Sequence, residues 1–321
     1  RTTKMALGDF QEFTDYAYQA FTSTLQQKVA LFNEASRGAI VLESMAFTGD
    51  YKQKSAFENL SSLVGNRDPS ATTAATEHAL AELLQVDVKV GWGIPNISYT
   101  NTAFDWTNRD PAEAGTLFGD AVAEGAMAYQ LNSAIAAAVA ALDDADITYD
   151  GTAGNASLIS LNRGAAKFGD RQSAITAWVM HSDSMNKIWE NGLTNSERLF
   201  QFGSVQIVTD QAGRPLIMTD SDALHFDNAG TENYYQLGLV AGGMMVQDQG
   251  DLRSYNVTDL SEENAKQLLK SEGSFGVGIK GYSWNTSVTK PDDAALALPA
   301  NWTRVAGLGH KDVAGVRVVT L

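Results

Sequence analysis

The sequence contains no cysteine. That excludes a disulfide framework, a thiolate metal site and a cysteine nucleophile, and it fits assembly in a reducing cytoplasm. Histidine is scarce: His78, His181, His225 and His310 are the whole set, and no two stand at metal-ligand spacing along the chain. No stretch approaches the roughly 18 consecutive apolar residues that a membrane span needs. The alanine-rich segment 134–142 comes nearest, and it runs straight into acids. The start, RTTKMALGDFQEF, lacks the apolar region of a signal peptide, and Met5 reads as a natural first residue. Neither G-x-S-x-G nor G-x-x-x-x-G-K-[ST] occurs, so a serine-hydrolase elbow and a phosphate-binding P-loop are excluded. Positive charge is also short. Against 38 acidic residues stand 23 basic ones, a formal net charge of −15. An acidic surface of that kind serves solubility and opposes tight nonspecific binding to phosphates.

What is present is a chain able to bury a real core, 44% hydrophobic and 19% charged over 321 residues. Phe13, Ala17, Phe21, Leu25, Val29 and Phe32 recur three or four apart, which predicts an amphipathic helix over 8–36 with one oily stripe. A strand follows at Gly38–Leu42. Val86, Val88 and Val90 alternate, Gly91–Pro95 interrupts them, and Ile97 and Tyr99 resume. With Tyr51–Val64 and a helical piece near 72–84, these suggest a projecting two-stranded excursion that needs a partner surface for stability.

Asp110-Pro111-Ala112-Glu113 is a strong helix start, with a cap, a proline at the first helical position and a capping-box acid. The helix predicted over 110–145 is a long rod with a small-residue face, ending at Asp143, Asp144 and Asp146. Further on, helices are expected at 157–168, 182–191 and 261–271. Strands are expected at 175–180, in a hairpin at 204–220, across 234–246 and 275–284, and at the C-terminus. The irregular alternation of helices and strands indicates an α+β fold.

Candidate chemistry is thin. Gly276-Val277-Gly278-Ile279-Lys280-Gly281 matches G-x-G-x-x-G, but a dinucleotide site needs that motif to open a helix. Here a strand-like Tyr-Ser-Trp follows, so a glycine-rich strand is the better reading. His181 beside Asp183 reads as a strand-end histidine bonded to backbone rather than a metal ligand. Asp143, Asp144 and Asp146 lack the spacing of a calcium loop and read as a solvated helix end. The expectation is no enzyme, no cofactor and no metal.

The wording Trp178-Val179-Met180-His181-Ser182, followed by Gly213-Arg214-Pro215-Leu216-Ile217-Met218-Thr219-Asp220, resembles the major capsid proteins of tailed bacteriophages. The order of elements resembles the Hong Kong 97-type capsid fold. That resemblance implies an N-terminal arm (1–40), an extended loop with flanking strands (41–108), and a peripheral domain with a long spine helix (109–149). An axial domain (150–284) and a return to the peripheral domain (285–321) would complete it. It further implies a virion coat protein that self-assembles as pentamers and hexamers around double-stranded DNA, which it encloses without sequence-specific binding. Assembly would occur in the host bacterial cytoplasm, with a separate scaffolding protein, a portal protein and a decoration protein as partners and no membrane. Interface residues expected on this basis are Phe13, Phe21 and Phe32 on the arm, and Tyr51, Phe57, Leu60 and Arg67 on the loop. An encapsulin-type compartment shell shares the fold, and a monomeric α+β enzyme or ligand binder is the alternative from another class.

Overall fold

The computed structural model describes residues 7–57, 66, 69–70, 72, 77, 82–100, 111–190, 197–202, 205–209, 213–261 and 266–321. The oily stripe folds as helix α1 (Leu7–Ala35), which turns through Gly38, at φ 69°, into strand β1 (Ile40–Ser44). Asn33 on the last turn of α1 grips the outer edge of that strand. Its Nδ2 donates to the Leu42 carbonyl at 2.6 Å, and its Oδ1 accepts from the Leu42 N–H at 2.8 Å. A strand edge that would otherwise invite pairing is thereby blocked at its centre.

Strands β2 (Tyr51–Phe57), β3 (Glu82–Gly93) and β4 (Ile97–Thr100) precede the rod, helix α2 (Pro111–Ala141). Its 31 residues span about 46 Å at ~1.5 Å per residue. Small residues line its contact with α1: a Cβ added at Gly119 would overlap the Ala17 carbonyl oxygen. Only glycine admits so close a backbone approach.

After the rod come β5 (Thr148–Gly151), α3 (Leu158–Ala165), β6 (Ile175–Met180), α4 (Ser182–Glu190), β7 (Glu197–Phe202), β8 (Val205–Thr209) and β9 (Pro215–Met218). They are followed by β10 (His225–Asn228), β11 (Thr231–Val240), β12 (Met244–Asp248), β13 (Arg253–Asp259), β14 (Lys266–Ile279) and β15 (Tyr282–Trp284). A short α5 (Asp293–Leu296), β16 (Trp302–Arg304) and β17 (Gly315–Thr320) finish the chain. Helix α3 begins with a reciprocal capping box between Ser157 and Ser160. The 204–220 hairpin forms as expected, with Thr209 opposite Pro215.

Two sheets carry the core. One is ordered β1-β12-β14-β3-β2, with β13 and β4 flanking the outer half of β14. The other is ordered β5-β17-β11-β6-β9-β8-β7, with β10 on β11. Trp178 is fully buried in the second sheet. A Cβ at Gly238, on neighbouring β11, would lie 2.8 Å from its ring. The indole fits because that strand is bare at the point of contact.

Three expectations are corrected. The helix predicted over 261–271 is β-structure from Lys266 onward: β14 pairs antiparallel with β13 from Lys266↔Asp259 to Glu272↔Arg253. Alternate burial of Gln267, Leu269 and Ser271 overrides the helical propensity of Lys-Gln-Leu-Leu-Lys. The helical piece near 72–84 ends in strand, because 82–84 open β3; most of 72–81 lies outside the described residues. The excursion is not left to a neighbour for its packing. Strand β3 sits between β14 and β2, and Val86, Val88 and Val90 enter the chain's own core. Sheet membership does not follow sequence order. Strands β12 to β14 join the sheet of β1 to β4, whereas β17 lies inside the sheet of β6 and β11. Hydrophobic pattern finds strands but carries no record of which distant strand each will pair with.

Candidate assembly surfaces

The arm residues proposed for contacts fall mostly inside the subunit. Phe21 is buried against Ala123 and Ala126 of α2 and stacks on Trp92, ring centroids 6.1 Å apart at 19°. Phe32 is completely buried in the main core. The oily stripe thus finds its surface on the chain's own rod. Tyr51 is half-buried, and its hydroxyl donates to the carbonyls of Thr286 and Val288 at 3.0 and 3.1 Å, tying β2 to the C-terminal segment. Phe13 lies on α1 and Phe57 on β2, the latter opposite Glu82 of β3. Leu60 and Arg67 lie outside the described residues. Among the described residues, the large apolar side chains that α1 exposes are Tyr16, Tyr18 and Leu31. Attention to one stripe passed over these, although a tyrosine beside a helical stripe is itself a signal of a second contact face.

The acidic end of the rod is not simply solvated, which corrects the expectation for Asp143, Asp144 and Asp146. Acids are unfavourable at a helix C-terminus, and here two arginines offset them. Arg304 at the end of β16 reaches Asp144 at 2.9 Å and Asp146 at 3.4 Å. Arg317 of β17 pairs with Asp143, bonds the Val139 carbonyl at 3.2 Å, and lies 5.1 Å from the Tyr235 ring centre. Burial, with Asp144 close by, pushes the Tyr282 hydroxyl up beside this network.

The G-x-G-x-x-G stretch is strand and turn. A Cβ at Gly278 would meet the Asp87 carboxylate at 2.5 Å, and one at Gly276 the Phe47 ring at 2.7 Å. These glycines make room for side chains, not for a pyrophosphate. Asp87 is fully buried and pairs with Lys54 at 2.5 Å.

His181 and His225 meet in space although 44 residues separate them: β6 ends and β10 begins at the same end of the sheet, leaving the rings 5.6 Å apart. His181 Nδ1 accepts from the Asp183 N–H at 3.3 Å, and Tyr234 donates to the Asp183 carboxylate at 3.0 Å. Among the described residues no three His, Asp or Glu side chains are arranged to hold a metal ion.

Between α1 and the first sheet runs a groove lined by Tyr18, Leu25, Val29, Leu42, Val246 and Asp248. Burial raises the Asp248 carboxyl above its ordinary value. Thr22, Gln26, Glu43, Ser44 and Gln130 also line it, so its walls mix apolar and polar side chains.

Among curated proteins none matches the chain in sequence. In structure it is similar to the head of Helicobacter pylori bacteriophage KHP40, with a TM-score of 0.52, 11% identity, and coverage of 90% of this chain and 88% of that one. It is equally similar to the capsid of Ralstonia phage GP4, with a TM-score of 0.52, 12% identity, and coverage of 89% and 87%. At such identities the likeness establishes the fold alone: an α+β subunit of the Hong Kong 97 type. The family described as Major capsid protein 13-like (Gp13-like) matches residues 9–317. The match takes in nearly every element from α1 to β17, so the chain belongs to that family and is a structural coat protein of a phage virion, associating with itself into an icosahedral shell.

Proposed function

We propose that the shell is built of pentamers and hexamers and encloses double-stranded DNA, with no catalytic role for any residue of the chain. The observation that carries this reading is the family match over 9–317. The net charge of −15 supports it, because a wall of that sign does not grip the phosphates of DNA packed against it. In this reading residues 1–40 act as the arm and 41–108 as the loop with its flanking strands. The rod lies in a peripheral domain over 109–149, 150–284 supply the axial contacts, and 285–321 return to the periphery. Phe13, Phe57, Leu60 and Arg67 remain interface candidates on arm and loop. Heterologous contacts repeated about symmetric axes close such a shell. Assembly takes place in the host cytoplasm and calls on a separate scaffolding protein, a portal and a decoration protein. Of the two shell readings, membership of a phage capsid family favours the virion over a cellular compartment.

The test is electron microscopy of the chain expressed with the scaffolding gene of its phage. Closed particles tens of nanometres across are expected. A monodisperse species near 34.4 kDa under every assembly condition would sink the reading. Shells filled with a cargo enzyme and never with DNA would move it to the compartment class.

A further inference from the structure

The groove between α1 and the first sheet joins apolar walls to polar groups that the chain itself does not satisfy. Leu25 and Val29 of α1 line one side, and Leu42 of β1, Val246 of β12 and Leu252 line the other. The parallel register that pairs Leu42 with Val246 also sets Ser44 beside Asp248, which brings a hydroxyl and a carboxyl together on the sheet side. The rod contributes Gln130. The volume enclosed is about 200 Å³. That exceeds the ~150 Å³ of a cavity that admits benzene.

Two of these polar groups lack what their burial demands. Gln130 is only 6% exposed, yet its amide has no hydrogen-bond partner among the described residues. A buried amide in that position costs free energy until something bonds it. Asp248 accepts from the N–H groups of Gly250 and Gln249, but burial raises its carboxyl above the ordinary value, and the charge acting on it is another acid, Asp251. Among the described residues no Lys or Arg lines the groove. Its other polar groups are already engaged: Thr22 donates to the Tyr18 carbonyl at 3.0 Å, and Glu43 accepts from Gln247 at 3.0 Å.

The group that answers both residues donates hydrogen bonds, is positively charged and continues into hydrocarbon. An ammonium head has three donors, matching a carboxylate, an amide oxygen and a hydroxyl. An aliphatic stem lies against apolar walls while its charged end stays on polar partners. A bare calcium or magnesium ion calls for about six oxygens and would leave those walls unused. We propose that this groove is a binding site for a small aliphatic primary ammonium ion, its head between Asp248 and Gln130 and its stem packed between α1 and the sheet. Bound there, the ion ties α1 to the first sheet and stabilises the folded subunit. The site belongs to the single subunit and stands whether or not shells close.

The test is calorimetric titration and thermal unfolding of dissociated subunits with n-hexylammonium chloride. Hexanol supplies the stem without the charge, and ammonium chloride the charge without the stem, both at equal ionic strength. Hexylammonium should bind at a single site and raise the unfolding temperature, and neither control should. Asp248→Asn should weaken binding at least about tenfold, with circular dichroism showing that the variant folds. Gln130→Met keeps the side-chain length and the helix propensity and should weaken binding roughly threefold. No binding of hexylammonium, or undiminished binding by both variants, would overturn the site. An equal response to hexanol would reduce it to an apolar groove and overturn it as well. So would binding by subunits that disappears in assembled shells, because a neighbouring chain would then fill the groove. None of these outcomes touches the shell reading, which microscopy decides separately.

Discussion

Single residues show where the chain balances buried charge. Arg317 is 8% exposed, whereas the Asp143 side chain it pairs with is 46% exposed. Removing the two partners is therefore not equivalent. Arg317→Ala strips a buried cation from Asp143, the Val139 carbonyl and the Tyr235 ring, and should destabilise the subunit by about 1–3 kcal/mol. Asp143→Ala should cost less, since water already reaches the acid while Arg317 keeps its carbonyl and ring. Urea denaturation of both variants checks this, and equal losses would deny the asymmetry. Asp248 presents the opposite sign. Burial raises its carboxyl, so the folded state holds the proton more tightly than the unfolded chain does. Its contribution to stability is present below the unfolded carboxylate value and is lost as pH climbs through the raised folded value. Asp248→Asn should therefore stabilise the subunit at neutral pH, with the advantage gone by about pH 3, below the ordinary aspartate value. Denaturation midpoints at both pH values decide it; an advantage that persists in acid would point to packing instead of charge.

Elements divide into those legible from local pattern and those decided by distant pairing. Helices α1 and α2 were legible because a 3.6-residue stripe and a Pro-Ala-Glu start are local signals. So was the 204–220 hairpin, with Gly213 at φ 72° in its turn. Strand β14 was not, since Lys-Gln-Leu-Leu-Lys favours a helix until β13 and β4 are placed on either side of it. The alternation in β3 was read correctly but its destination was missed. Pattern showed that Val86, Val88 and Val90 share a face, and could not show that the face belongs to this chain's core. The meeting of His181 with His225, and of Arg304 and Arg317 with the rod's acids, was hidden in the same way. A direct test of where β3 belongs is Val88→Ala. With Val88 fully buried between β14 and β2, the lost methyls and the cavity should lower subunit stability by about 1–3 kcal/mol. An unchanged thermal transition in unassembled subunits would return β3 to a role at the interface alone.

For the whole molecule, the question is how one chain is both a finished subunit and an unfinished shell. Its core is closed: the arm is held on the rod, β1 is capped by Asn33, and both sheets run through one cluster of buried side chains. What assembly draws on must then lie at the margins of that core. The loop between β2 and β3 is the clearest place to separate the two demands, because Phe57 and Glu82 stand directly opposite each other in the ladder. Residues 58–81 therefore leave and re-enter at one point, and a Gly/Ser turn of about four residues can close the same hairpin. Such a replacement leaves every pair from Tyr51↔Val88 to Phe57↔Glu82 in place. The shortened subunit should fold with a thermal transition close to that of the full chain, because the whole β2–β3 ladder is kept. If the loop overlies a neighbour, as the shell reading holds, the same protein should give no closed particles, or fragile ones, under conditions where the full chain assembles. Circular dichroism and electron microscopy on one preparation read both outcomes. Intact shells from the shortened chain would deny the loop its part in assembly, and loss of the folded state would place 58–81 in the subunit's own core.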